Sequence, residues 1–356
     1  MYLLTALMLA GCAAGTGAGS GDYKKYSYEF TGVFDTLVQI IGYTKTAEEF
    51  NAYTGQAKVR FGKLHELFDI YHEYPGINNL YTINKNAGKQ PVAVSPEIIE
   101  LILLSKELYS KTGGAVNIAL GPVLEIWHDY RDEGSSDPGQ AKLPPLIDLQ
   151  KAAVYTDIDQ VIVDREKKTV YLPNSKMSLD IGAVAKGYAT ELVAQELKAA
   201  GFNSFVISGG GNVCLVGKPL DGQRDKWGIG VQNPRGNLLV PDDKPLETIF
   251  AVDTSIVTSG DYQRYYEVDG EIYHHLIDPK TLMPANYYRA VTVMHPDSGV
   301  ADFMSSALFL LPYDESRAVT KSIIGLEALW IFPDGRVEAT EGMKNSLKNL
   351  GGAKSK

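Results

Sequence analysis

The stretch from Ser178 to Thr190, Ser-Leu-Asp-Ile-Gly-Ala-Val-Ala-Lys-Gly-Tyr-Ala-Thr, constrains the fold more than any other. It reads as a buried strand end, a tight turn at Gly182-Ala183, and a helix entered through small residues. Asp180 and Lys186 bracket the turn. Such a turn can aim backbone dipoles and a short-range charge pair at a bound phosphate or metal. The same residues also suit an ordinary ion pair at a helix start.

The chain around it alternates strands and helices without a βαβ rhythm. Tyr26 to Tyr43 is strand-like around a turn at Phe34-Asp35-Thr36, and Thr46 to Tyr71 is helical by period, with Gly55 and Gly62 as possible breaks. Asn78, Asn79 and Asn84 follow a break at Tyr74-Pro75-Gly76 and read as loop. Ser95-Pro96-Glu97 starts a helix with a capping hydroxyl, and Gly113-Gly114 stops it. Gly134 to Pro145 reads as a surface loop. Gln160 to Asp164 and Thr169 to Leu172 form a hairpin. Further strands are expected at Phe205–Ser208, Trp227–Gln232, Ile249–Val257, Tyr273–Ile277 and Ala290–Met294. Helices are expected at Asp302–Leu311 and Glu315–Ile323, then a last hairpin at Leu329–Phe332 and Val337–Thr340. The last dozen residues read as frayed. This pattern predicts an α+β fold, mixed sheets with packed helices, in two subdomains around a cleft.

The 356 residues suffice for one large domain, and 44% of them are apolar. Lys and Arg number 34 against 43 Asp and Glu, a net charge of −9, so nucleic acid is not an expected partner. The two cysteines, Cys12 and Cys214, give no disulfide framework. Cys12 closes Leu9-Ala10-Gly11-Cys12 after an apolar run too short to span a membrane, which looks like a lipoprotein signal ending in a lipobox. Residues 1–21 then form a signal and a flexible tether, 22–345 the catalytic domain and 346–356 a polar tail. Cys214 is expected to be a small buried hydrophobe.

Four polar clusters lie far apart in the chain. The first is the 178–190 segment. Gly209-Gly210-Gly211-Asn212 lacks the spacing of a dinucleotide fingerprint and marks either a sharp turn or close backbone approach to a ligand. His274 and His275 end a strand, so only one of them can face a given site. The other four histidines, His65, His72, His128 and His295, show no metal spacing. Asp302 and Ser306, four apart at a helix start, put two oxygens on one face; they suit either a hard cation or a simple helix N-terminus.

Taken together and in order, these segments resemble the ApbE family, the FAD:protein FMN transferases, over roughly Tyr26 to Thr340. Leu179 to Tyr188 is similar to that family's Asp-Leu-Gly-Gly/Ala-Ile-Ala-Lys-Gly-Tyr motif, and Gly210-Gly211-Asn212 to its Gly-Gly-Asp/Asn turn. His275-Leu276-Ile277-Asp278-Pro279-Lys280-Thr281 is similar to its His-Ile-Ile-Asp-Pro-x-Thr motif. Ala301-Asp302 with Ser306 is similar to its Ala-Asp-x-x-x-Thr metal segment. The resemblance implies His275 as the catalytic residue. It implies Asp302, Ser306 and the Ala183 carbonyl as Mg²⁺ ligands. It implies Phe34, Tyr74, Ala115, Val116, Asn117, Asp180, Lys186 and Leu276 at the FAD. Ser306 stands in place of Thr, Asn117 in place of Asp, and Leu282-Met283 in place of a Gly.

The activity so implied is Mg²⁺-dependent transfer of FMN from FAD to a Thr or Ser of an acceptor protein, with release of AMP. The implied acceptor is a membrane-associated or exported redox protein bearing an Asp-x-x-Ser/Thr-Gly-Ala-Ser/Thr-like segment. Two alternatives stay open: an FAD pyrophosphatase with water as nucleophile, and a flavin-binding lipoprotein without chemistry. The lipobox adds an extracytoplasmic, lipid-anchored location on a bacterial membrane.

Overall fold

The computed structural model describes residues 22–234 and 244–356. Cys12 and the tether expected after it lie outside the described residues. Eight strands form one sheet: β1 (Lys24–Val33), β2 (Thr36–Thr44), β3 (Phe205–Gly209), β4 (Asn212–Val216), β5 (Thr254–Gly260), β6 (Ala290–His295), β7 (Glu327–Ile331) and β8 (Val337–Ala339). Their order in space is their order in the chain, and each pairing is antiparallel. Smaller antiparallel sheets lie beside it, including the ribbon Tyr265–Val268 with Glu271–His274 and the ribbon Trp227–Val231 with Glu247–Ala251. The described helices of ten residues or more are α1 (Ala47–Phe68), α2 (Pro96–Lys111), α3 (Gly121–Ser136), α4 (Ala185–Ala199), α5 (Ser298–Leu310) and α6 (Tyr313–Ser322). The class is α+β, as the sequence pattern predicts.

Strands β3 and β4 are buried at every residue because both faces of the sheet are covered there. On β3, Phe205 and Ile207 enter the core beneath the helices, while Val206 enters a second core under the 227–251 ribbon. A third cluster, with Trp127, Leu149, Tyr266, Val268, Ile277 and Leu282, joins α3 to the 265–274 ribbon. Cys214 is buried, and burial pushes its thiol up to about 12.

Several local expectations are corrected. Helix α1 runs unbroken through Gly55 and Gly62, where a side chain would meet nothing within 4 Å. Leu80–Lys85 is a helix, opened by a capping box on Asn79, where a loop was expected. Ser95 sits at the N-cap of α2 but its hydroxyl makes no capping bond; Pro96 alone marks the start. Gly134 lies inside α3, where a loop was expected; a Cβ there would lie 2.7 Å from Tyr266 Cδ2, so the ring packs directly on its backbone. The expected strand at 249–257 is two strands, broken near Asp253, which takes φ 46°. Asp297 caps α5, so Asp302 stands in its second turn. The C-terminal residues are packed: Leu347 is fully buried, and Glu247 accepts the N–H groups of Asn349 and Leu350 at 2.8 and 3.0 Å.

Candidate active site

Helix α4 starts without a capping side chain of its own, since Val184 occupies the N-cap. The cap comes from α5: the Gly187 N–H donates to Asp302 Oδ2 at 2.7 Å. A Cβ on Gly187 would lie 2.3 Å from Asp302 Cβ, 2.3 Å from Ser298 O and 2.8 Å from Asn212 Nδ2. The small residues that open α4 therefore let its first turn rest on α5 and on the end of the Gly210-Gly211 turn. That turn bears out the sharp-turn reading of the glycine run. It is a two-residue hairpin between β3 and β4, with φ 56° at Gly210 and 91° at Gly211. It is also a close approach, since a Cβ on Gly210 would lie 2.8 Å from Thr36 Oγ1 and 3.6 Å from Lys186 Cδ.

Asp302 is buried, which pushes its carboxyl above the usual range; the Lys186 charge and the Gly187 N–H oppose that rise. Its second oxygen receives no hydrogen bond among the described residues. One turn on, Ser306 Oγ lies 3.2 Å from Ser259 Oγ, itself 2.8 Å from Ser305 Oγ.

The two adjacent histidines divide as the strand geometry requires. The strand ends at His274. His274 uses both nitrogens internally: Nε2 lies 2.8 Å from the Ala285 carbonyl, and Nδ1 accepts the Leu276 N–H at 3.2 Å. Burial lowers it to about 4. His275 Nδ1 lies 3.1 Å from the Arg264 carbonyl. A carbonyl only accepts, so Nδ1 carries the proton and Nε2 keeps its lone pair. Burial holds this imidazole well below its ordinary value, helped by the positive charges of Arg264 and Lys186 and by the His274 ring. His275 is thus a neutral base at neutral pH.

The segment before α4 is extended but unpaired in any sheet. Asn84 clamps it instead: its amide donates to Leu179 O at 3.0 Å and its carbonyl accepts the Leu179 N–H at 2.8 Å. Asp180 donates its N–H to Ile118 O at 2.8 Å, and its Oδ1 accepts the Gly182 N–H at 2.8 Å, which shapes the turn. Its Oδ2 lies 3.9 Å from His128 Nε2, and His128 Nδ1 lies 3.3 Å from the Tyr71 hydroxyl. Asn84, Tyr71, His128 and Arg264 are residues that sequence reasoning left without a role. Nothing in their spacing marks them, because their partners lie between 52 and 95 positions away or act through backbone.

The remaining expected residues fall as follows. Phe34 and Asp35 form the β1–β2 turn with φ 51° and 50°, a conformation costly for side chains of this kind. His65 holds it, accepting the Phe34 N–H on Nδ1 at 3.3 Å. Tyr74 donates to Asp69 Oδ2 at 2.8 Å, and Asp69 also accepts the Tyr71 N–H. Ala115 and Val116 are buried. Both polar ends of the Asn117 amide are engaged, with the Ala119 N–H at 2.8 Å and with Thr156 O at 2.7 Å. Leu276 is buried beside His275. Leu282 adopts φ 62°, a glycine-like conformation, beneath Trp127, whose indole N–H donates to Leu282 O at 3.0 Å.

The donor set fits Mg²⁺. Asp302 is a buried carboxylate with one oxygen open, and the neighbouring Ser306 adds a neutral oxygen. Among the described residues no three His, Cys, Asp or Glu side chains gather as a metal cluster. A hard cation held by one carboxylate and neutral oxygens needs its other ligands from phosphates and water, as Mg²⁺ commonly does.

The family model described as the ApbE family matches residues 34–330. The chain belongs to the ApbE family. An FAD:protein FMN transferase of Treponema pallidum is 31% identical over 95% of this chain and 93% of its own length. A Klebsiella pneumoniae protein of the same name is 32% identical over 70% of this chain and 73% of its own. The ApbE protein of Thermotoga maritima superposes with a TM-score of 0.78 at 26% identity, covering 91% of this chain and 99% of that one. By this membership in the ApbE family the chain is an enzyme, a transferase.

Proposed function

We propose that the chain is a Mg²⁺-dependent FAD:protein FMN transferase. One observation carries the reading: His275 has one nitrogen tied to a carbonyl and, among the described residues, no hydrogen bond on the other, and the Lys186 charge acts on both its imidazole and the Asp302 carboxylate. The hydroxyl oxygen of an acceptor Thr or Ser attacks the phosphorus on the FMN side of the FAD pyrophosphate. The bridging P–O bond breaks, AMP leaves with that oxygen, and the acceptor proton passes to His275 Nε2. General-base help of this kind contributes about 10² to 10⁴ in rate. Lys186 places a positive charge at the pyrophosphate, and the Gly210-Gly211 turn brings backbone up against its side chain. Asp302, Ser306 and the Ala183 carbonyl would hold Mg²⁺, which when bound neutralises phosphate charge and orders the diphosphate. Phe34, Tyr74, Ala115, Val116, Asn117, Asp180 and Leu276 would line the nucleotide.

The test incubates enzyme, FAD, Mg²⁺ and an acceptor bearing an Asp-x-x-Thr-Gly-Ala-Thr segment, and weighs both products. Acceptor labelled with FMN, together with AMP, is expected, and His275→Ala should give none while still binding FAD. Free FMN formed at equal rate without acceptor would instead indicate a pyrophosphatase, and intact bound FAD would indicate a binding protein. We also propose lipid anchoring through Cys12 and an extracytoplasmic location. No described helix is long and apolar enough to cross a membrane. Loss of acyl labelling and of membrane association in Cys12→Ser is the expected result.

A further inference from the structure

One polar chain ends on Asp180 but begins at two residues, Tyr71 and His128, that have no part in the chemistry just described. It runs from Tyr71 through His128 to Asp180. Its three members come from three separate parts of the fold. Tyr71 lies in the turn after α1, His128 in α3, and Asp180 in the clamped segment before α4. Tyr71 is exposed, with 58% of its surface accessible, whereas the side chains of His128 and Asp180 are only 23% and 10% exposed. The chain therefore leads inward from solvent.

Its polarity can be worked out. Asp180 Oδ1 is committed to the Gly182 N–H, so the carboxylate is already tied to the turn that opens α4. The free Oδ2 needs a donor, and the ring nitrogen facing it is His128 Nε2, at 3.9 Å. That nitrogen is then the protonated one, and Nδ1 keeps a lone pair for the Tyr71 hydroxyl at 3.3 Å. The order is Tyr71 O–H to His128 Nδ1, and His128 Nε2–H toward Asp180. Arg131 and Arg264 also face the imidazole, and they and burial favour its neutral form; Asp180 and Asp132 favour the charged one. At 3.9 Å the contact between His128 and Asp180 is ion–dipole, too long for a hydrogen bond. It can still set which way the carboxylate points.

We infer that His128 is a positioning residue, oriented by Tyr71, that aims the Asp180 carboxylate at the bound nucleotide. The inference rests on the transferase reading, which puts Asp180 against FAD. His128 touches no reacting atom; it acts on substrate affinity through Asp180. Losing it leaves the Gly182 N–H as the only described side-chain contact that orients the carboxylate, and leaves the Mg²⁺ and His275 groups in place.

The experiment compares His128→Gln, His128→Asn and Tyr71→Phe with the full chain, measuring kcat and KM for FAD in the transfer assay. Glutamine places an N–H donor where Nε2 stood; asparagine reaches only as far as Nδ1. Expected is a KM raised about fivefold in His128→Asn, the size of a weak, partly exposed polar contact to a charge. His128→Gln should recover most of that loss, Tyr71→Phe should fall between, and kcat should change less than KM throughout. Equal KM values for the Gln and Asn variants would overturn the inference, since a packing role does not distinguish their reach. A loss confined to kcat would overturn it as well. Absence of transfer in the unsubstituted enzyme would instead reject the transferase reading, so the two failures are separable. Urea unfolding of each variant shows whether a KM change comes from a folded protein.

Discussion

Replacing Gly187 with Ala tests the helix contact on which the site depends. In an ordinary helix interior this change stabilises, by about 1 kcal/mol. Here the new Cβ would lie 2.3 Å from Asp302 Cβ and 2.3 Å from Ser298 O, where contacts under 3.0 Å essentially never occur. Neither neighbour is the end of a flexible side chain, so α4 and α5 must part by at least 0.7 Å, the difference between 3.0 and 2.3 Å. Overpacking of this kind costs about 1–3 kcal/mol. Stretching the 2.7 Å bond from the Gly187 N–H to the Asp302 carboxylate forfeits a charge-assisted hydrogen bond, about 1.5–3 kcal/mol. Set against the propensity gain, the net expectation is a loss of about 1.5–5 kcal/mol. The internal controls are Gly55→Ala and Gly62→Ala in α1, where nothing lies within 4 Å and a small stabilisation is expected. Urea unfolding measures all three, and FMN transfer at saturating Mg²⁺ measures whether the carboxylate is still in place. A Gly187→Ala enzyme as stable and active as the two controls would refute the contact and the capping argument with it.

Other outcomes follow from the same geometry. Asp302→Asn keeps an acceptor for the Gly187 N–H and removes a charge that burial opposes, so stability should hold or rise. Its Mg²⁺-dependent transfer should fall at least about 100-fold. For His275 the active form is neutral and its folded value is lowered, so kcat/KM should persist as pH falls through 6.5 and drop only below it. An acid limb centred at or above pH 6.5 would contradict that. Leu282→Gly relieves a φ of 62° worth about 1–2 kcal/mol but removes a buried side chain worth more, so thermal unfolding should show a net loss of about 1–3 kcal/mol.

Much of the architecture was legible because local signals repeat it. Alternation located most strands, Phe34-Asp35 and Gly210-Gly211 marked two hairpin turns, and Gly113-Gly114 ended α2. Errors arose where a distant contact overrides a local signal. Gly55 and Gly62 read as breaks, yet α1 is held by the face that buries Phe50, Ala57, Phe61, Leu64 and Phe68. Gly134 read as loop, yet Tyr266 requires a residue without a side chain there. The 178–181 stretch read as a strand end, but it pairs in no sheet: Leu179 bonds to the Asn84 side chain and Asp180 donates to the Ile118 carbonyl.

By itself the chain's order of residues determined which groups are available: a carboxylate and a hydroxyl four apart, a lysine at a helix start, and two adjacent histidines. It could not say which histidine is open or what faces Asp302. Those answers depend on contacts across more than a hundred positions, such as Gly187 to Asp302, and on backbone carbonyls such as that of Arg264. The physical reason is that a side chain's protonation and direction are set by the few atoms around it, and folding alone chooses those atoms.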